Sequence, residues 1–221
     1  MPTTSERART DRIVWIDCEM TGLSLTDDAL VEVAVVVTDF ELEPLGEGVD
    51  VVIAPPAAAL EQMGDFVRKM HTDSGLLPEL EHGTTMQEAQ DKVLAYVREW
   101  VPEPRKAPLG GNTVGTDRAF LARDMPELEG HLHYRNVDVS TIKELARRWY
   151  PRAYFGSPEK HGGHRALGDI LDSLAELRYY REAVFVPAPG PDSATVRQIA
   201  SRHGVAPTAP APSGPPSESS D

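Results

Sequence analysis

The first clear pattern along the chain is an apolar, β-prone run, Ile13-Val14-Trp15-Ile16, leading into Asp17-Cys18-Glu19 and a bend at Thr21-Gly22. Side chains alternate faces along a strand, so Asp17 and Glu19 point the same way and Cys18 points into the opposite, packed face. Ala29 to Phe40 is valine-rich and bounded by polar turns, which predicts a second strand. Gly46 to Ala54 predicts a third, closing an antiparallel meander. Glu32 falls inside the second strand, and the pattern leaves open whether it joins an acidic site or pairs structurally.

Helical periodicity takes over after Pro55-Pro56. Leu60, Met63, Phe66, Val67 and Met70 recur at helix spacing, predicting one or two short helices up to Gly75. Thr85-x-x-Glu88 reads as a capping box, followed by an apolar stripe of Ala89, Val93, Tyr96, Val97 and Trp100. A short strand over Lys106–Gly110 and a glycine-rich turn through Gly115 precede a helix that runs from Thr116 towards Met125, with Asp117 in its first turn. Asn136–Val139 predicts a fifth strand. Thr141-x-x-Glu144 then marks a helix start, with Ile142, Leu145 and Trp149 inward and Lys143, Arg147, Arg148 and Arg152 as the densest basic patch. The last core helix runs through Ile170, Leu171, Leu174, Leu177 and Tyr180. Its leading loop contains Gly162, Gly163 and His164, and Asp169 lies in its first turn or two. Deep in one helix, residues five apart would diverge by about 140°, so it is the loop that lets His164 and Asp169 converge. A three-strand meander followed by alternating strands and helices describes an α/β fold: a mixed five-stranded sheet flanked by helices.

Composition narrows the field. The 221 residues suit one well-packed domain plus an extension. No run approaches the roughly 18–20 apolar residues that a membrane crossing needs, and the polar start has no apolar leader core, so no membrane partner is expected. Cys18 is the single cysteine, so no internal disulfide can form, which fits a reducing cytoplasm. The net charge of −13 argues against binding long nucleic acid, which calls for a basic footprint. It leaves room for a small phosphate-bearing substrate met by cations and a few local basic groups. Pro, Ala and Ser dominate from Pro187 onward, predicting a disordered tail with only a faint helical pattern at Ser193–His203. The expected organisation is a flexible N-terminus over 1–11, a catalytic domain over 12–186 and a tail over 187–221.

Two like charges on one face of an apolar strand repel and resist burial, and a bound cation reverses that cost. The chain supplies Asp17, Glu19, Asp117 and Asp169 as oxygen donors beside the imidazole of His164. That set suits hard divalent ions, Mg²⁺ or Mn²⁺, better than zinc. Two such ions about 3.5–4 Å apart stabilise both attacking and leaving oxygens of a phosphoryl displacement. His164 can take a proton from the attacking water.

Asp17-x-Glu19, Asp117 and His164-x-Ala-x-x-Asp169 resemble the motifs of the four-carboxylate, histidine-containing 3′→5′ exonuclease superfamily, which has a ribonuclease H-like fold. Within it, Trp15–Leu23, Gly111–Asp117, Met125–Glu129 and His133–Trp149 are similar to the oligoribonuclease family. The resemblance implies a homodimer that releases 5′-mononucleotides from the 3′ ends of very short RNAs, dinucleotides above all. It implies that Asp17 bridges two metal ions, that Glu19 and Asp169 hold the ion carrying the attacking hydroxide, and that Asp117 supports the second. His164 would be the general base. Leu23 matches a residue that wedges between the two bases, and Phe66 stands where the family often has tryptophan to stack on a base. His71, Thr113, Tyr134, Arg135 and Ser140 match positions that close over the 5′ phosphate, some from the partner subunit. On spacing alone His71 would be a packed helix histidine. The alternatives are another exonuclease of the superfamily and a non-catalytic nucleotide- or metal-binding module on the same fold.

Overall fold

The computed structural model describes residues 11–161 and 163–204. At its centre lies a five-stranded sheet in the order β3-β2-β1-β4-β5: β1 Ile13–Met20, β2 Leu30–Thr38, β3 Val49–Val52, β4 Pro108–Gly111 and β5 His133–Asp138. The meander β1-β2-β3 is antiparallel, whereas β4 and β5 add in parallel to β1. The chain therefore leaves β1 and β4 at the same edge of the sheet, where both segments deliver a carboxylate. This is the mixed α/β sheet that the pattern predicts.

Alternation along β1 divides the core. Val14, Ile16 and Cys18 join one buried cluster, covered by α4 (Met86–Trp100), while Ile13 and Trp15 join a second, covered by α9 (Ala166–Ala183). Asp17 and Glu19 continue the second face, the one under the helix that carries Asp169. Cys18 is buried on the opposite face, and burial pushes its thiol well up, with the charge of Asp117 adding to the effect. It packs as a small apolar residue.

Three helical pieces lie between β3 and α4: α1 Ala57–Gln62, α2 Asp65–Asp73 and α3 Leu76–Glu79, the last running into a 3₁₀ turn at Leu80–His82. The final turns extend beyond the Gly75 limit that periodicity suggests. Within the stripe, Met63 is buried but Phe66 is 81% exposed. The capping box of α4 forms: the Thr85 hydroxyl accepts from the Glu88 N–H, and the Glu88 carboxylate accepts from the Thr85 N–H.

After β4 come α5 (Gly115–Asp124), α6 (Pro126–His131), β5, α7 (Val139–Trp149) and α8 (Pro151–Phe155). Two expectations change here. α7 starts at Val139, two residues before Thr141, because the Asp138 side chain caps it by accepting from the Ser140 N–H. Val139, Ile142 and Ala146 form the inward face, whereas Leu145 and Trp149, expected inward, are exposed, Trp149 by 66%. β5 begins three residues earlier than Asn136, since an edge strand with one solvated side needs no continuous apolar pattern.

The chain divides into two units after Phe185. In the second, α10 (Ser193–His203) occupies the place of the faint helical pattern, with the Asp192 side chain accepting from the Thr195 N–H at 2.8 Å. The expectations for residues 1–10 and 205–221 lie outside the described residues. No helix among the described residues is long and apolar enough to cross a membrane.

Candidate active site

Each acidic group arrives for a local reason. Strand alternation puts Asp17 and Glu19 side by side near the end of β1, where the register with β2 slips between Glu19 and Met20. Asp117 sits in the first turn of α5 and is buried, its Oδ1 accepting from the Cys18 N–H at 3.0 Å. Asp169 lies in the first turn of α9. His164 precedes that helix in a left-handed conformation at φ 60°, directly after Gly163 at φ 66°. This turn brings the exposed imidazole back over the helix start, and one ligand atom each from Glu19, His164 and Asp169 lies within 4.8 Å of the others.

The electrostatics describe a site short of positive charge. Burial pushes the Asp17 carboxyl up to about 9, reinforced by the charges of Asp117, Asp169 and Glu19. Burial, then Asp169, Glu32 and Asp117, lifts Glu19 to about 8. Asp117 rises to about 6 mainly through burial, held down by its backbone hydrogen bonds. Asp169 is raised by burial and lowered by His164. Among the described residues, Glu19, His164 and Asp169 are the group whose ligand atoms lie close enough together to hold a metal ion, while Asp17 and Asp117 fall outside that group. Oxygen donors of this kind suit hard divalent cations.

Beside the carboxylates lies a polar cleft lined by Asn112, Thr113, Asp138, Ser140, Lys143 and Lys160, among others. Thr113, at φ 54°, donates its N–H to Asp138 Oδ1, and its hydroxyl lies 3.0 Å from that of Ser140. The Ser140 hydroxyl donates to Asn112 Oδ1, while Asn112 Nδ2 donates to Ser173 and Glu176. Buried Glu176 meets both Lys143 and Lys160, at 3.0 and 3.4 Å, and the lining carries two further carboxylates, Asp138 and Glu144. Sequence reasoning singled out Thr113 and Ser140 but missed Asn112, Asp138, Lys160 and Glu176. Asn112 lies within Gly111–Asp117 and Asp138 within His133–Trp149, the latter two residues before Ser140 as a capping signal.

The other residues named for substrate binding fall in different places. Leu23 is 76% exposed in the loop after β1, which Asp28 braces by accepting from the Thr21 hydroxyl and the Ser24 N–H. Gly22 lies so close to that carboxylate that a Cβ there would be 2.4 Å from Asp28 Oδ2. Phe66 projects from α2. His71 is fully buried on the same helix, with Nε2 donating to the Met20 carbonyl at 2.9 Å and an otherwise unpartnered Nδ1 lying 3.9 Å from Glu19. Tyr134 is 74% exposed near the start of β5, with the Arg135 guanidinium over its ring. Four strand positions separate it from Asp138 at the cleft, a distance of about 13 Å. Within one chain, Tyr134 and Arg135 are not brought to the carboxylates.

Comparison with known proteins bears on the fold and the family. Residues 14–177 match the family model described as an exonuclease. Among solved structures, exonuclease I from Methylocaldum szegediense aligns with a TM-score of 0.55 at 21% identity over 78% of this chain. Exonuclease I of E. coli, in complex with a 5cy-dT13 oligonucleotide, aligns with a TM-score of 0.56 at 16% identity over 79%. In both cases the chain spans 41% of the longer protein, and the likeness is one of fold. Fold and family together define an exonuclease of the ribonuclease H-like class. Curated oligoribonucleases are far more similar: that of Streptomyces coelicolor is 73% identical over 88% of this chain and 98% of its own. Those of Cutibacterium acnes and Mycobacterium avium are 62% and 52% identical, over 86% and 92% of this chain and 95% of each relative. The chain belongs to the oligoribonuclease family, a family of 3′→5′ exoribonucleases.

Proposed function

We propose that the protein hydrolyses very short oligoribonucleotides, chiefly 5′-phosphorylated dinucleotides, to 5′-mononucleotides, acting as a homodimer with two divalent ions per site. The cluster of Glu19, His164 and Asp169, with Asp17 raised by the charges of Asp117, Asp169 and Glu19, carries this reading. Asp17, Glu19, Asp117 and Asp169 would hold the ions, Mg²⁺ or Mn²⁺, which supply charge neutralisation and polarise the phosphate and the attacking water. His164 stands beside Glu19 and Asp169 with its ring open to solvent, suited to accept the proton of that water. Water oxygen joins phosphorus, the bond to the 3′ oxygen of the preceding nucleotide breaks, and that oxygen leaves to be protonated from solvent.

Substrate length follows from charge and shape. The hydroxyls of Thr113 and Ser140, with Lys143 and Lys160, line a cleft able to take a terminal phosphate, and Leu23 and Phe66 expose apolar surface to bases. A cap that closes over a 5′ phosphate leaves no exit for a longer strand, and a chain with a net charge of −13 offers none of the basic track such a strand needs. A buried, unpaired Cys18 fits a reducing cytoplasm. With Mn²⁺ or Mg²⁺ present, purified protein should turn over a 5′-phosphorylated dinucleotide faster than it shortens a longer RNA. Equal or faster trimming of the longer strand would leave only the wider exonuclease reading.

A further inference from the structure

Glu32 is completely buried in the middle of β2, directly opposite Glu19 in the register. A buried carboxylate persists in a fold where it is paired and its oxygens are satisfied. Here Oε1 accepts from Arg165 Nε at 2.8 Å and Oε2 accepts from the backbone N–H of Ala166 at 3.0 Å. The same guanidinium turns its outer edge to Glu79 at the end of α3, with Nη1 and Nη2 donating to the two carboxylate oxygens at 2.9 and 3.1 Å. Arg165 is the N-cap residue of α9 and offers no side-chain cap of its own. A residue 134 positions earlier in the chain thus takes over an orphan N–H of the first turn.

Among the described residues, few contacts hold the loop that this one terminates. Gly163 and His164 are both left-handed and exposed, and the preceding anchor is the His161 N–H donating to Asp172 Oδ2 at 2.7 Å. Arg165 is the first residue after His164, and its planar fork is held at both edges. We propose that Glu32, Arg165 and Glu79 form a strut that positions His164 over Glu19 and Asp169. Through Glu79 it also ties the loop to the segment bearing Phe66 and His71. These three are positioning residues that act through the base. The inference rests on the reading of His164 as general base and gives Glu32 the role that its sequence pattern left open.

The test is a set of variants of the full-length enzyme: Glu79→Gln, Arg165→Lys and Glu32→Gln, each alone and combined with His164→Ala. Glu79 is half-exposed, so its variant folds even if the buried Glu32→Gln does not. Lysine keeps the charge of Arg165 and loses the two-edged fork. Arg165→Lys should lower kcat on a dinucleotide by about 10–100-fold, with KM changed less than about twofold. Glu79→Gln should show the same split with a smaller loss. Single-turnover rates with enzyme in excess should show no further fall when either change is added to His164→Ala, because groups acting through one residue are not additive. Independently of turnover, hydrogen exchange at residues 163–166 of the metal-free protein should speed up in Arg165→Lys. Losses that multiply with that of His164→Ala, a rise in KM at constant kcat, or unchanged exchange at 163–166 would each overturn the strut. Near-normal turnover in His164→Ala itself would instead remove the base assignment, and the strut with it.

Discussion

At Asp17 the competition between burial and charge is most severe. In the metal-free fold its carboxyl is pushed up to about 9 and that of Glu19 to about 8, against ordinary values of 3.8 and 4.5. The folded state therefore binds more protons than the unfolded chain above pH about 4. The slope of stability with pH is negative in this window: the contribution is fully present below the unfolded values and is lost as pH rises through about 8–9. Asp17→Asn removes one of the repelling groups, so in thermal unfolding without metal its Tm should gain on the wild type between pH about 6 and 9. Mn²⁺ should raise the wild-type Tm more at pH about 8 than at about 5, since protons and cations compete for the same oxygens, and should raise that of Asp17→Asn less. A metal-free wild type that gains stability relative to Asp17→Asn on going from acid to base would contradict the site's electrostatics. Legibility in the sequence depends on how far away a residue's partner lies. Asp17 and Glu19 could be read because their relation is local, two positions along a strand, and Asp169 because a glycine loop precedes it. Glu32 could not, because Arg165 and Ala166 lie more than 130 residues downstream, and Glu176 and Lys160 acquire meaning only through Asn112 and Lys143.

Elements differ in how much of their boundary information is local. The capping box at Thr85 reads directly because side chain and backbone partners lie three residues apart. The same pattern at Thr141 misleads, since Asp138 has already captured the Ser140 N–H and begun the helix. Asp138 joins two elements at once: Oδ1 accepts from Ser140 at the start of α7 and from Thr113 in the loop after β4. Asp138→Ala should cost about 1 kcal/mol from the cap alone, measured by denaturant unfolding. It should also raise KM for a 5′-phosphorylated dinucleotide, because Thr113 loses the acceptor that orients its backbone. Asp138→Asn should recover most of the stability, as asparagine caps nearly as well as aspartate. If Asp138→Ala alters KM equally for substrates with and without the 5′ phosphate, the cleft is not the phosphate subsite. The strands show the same division between local and distant causes. Valine-rich β2 is buried throughout and announces itself, while β5 is polar because it closes the sheet's edge.

For the whole molecule, the proposed homodimer gives Tyr134 and Arg135 a place in the site that a single chain does not. Leu145, Trp149, Tyr150 and Phe185 expose an apolar groove on the flank of α7, the surface assigned here to the contact of the proposed homodimer. Tyr134 and Arg135 stand exposed on the edge strand, well away from the cleft of their own chain. A two-fold contact buries the same patch on both copies and can carry residues of each subunit towards the other's site. On that basis Trp149→Glu should yield a monomer by analytical ultracentrifugation, with its helical circular dichroism kept and dinucleotide turnover lost. A complementation experiment separates this from simple damage. Tyr134→Ala and His164→Ala proteins should each be nearly inactive on a dinucleotide. In a mixed dimer, the subunit with Tyr134→Ala keeps its own His164 and meets the partner's Tyr134, so one of its two sites is whole. Mixing the two inactive proteins under conditions of subunit exchange should therefore restore activity, approaching half the wild-type rate per mixed dimer. If Tyr134 served its own chain, both sites of the mixed dimer would lack one group and mixing would restore nothing.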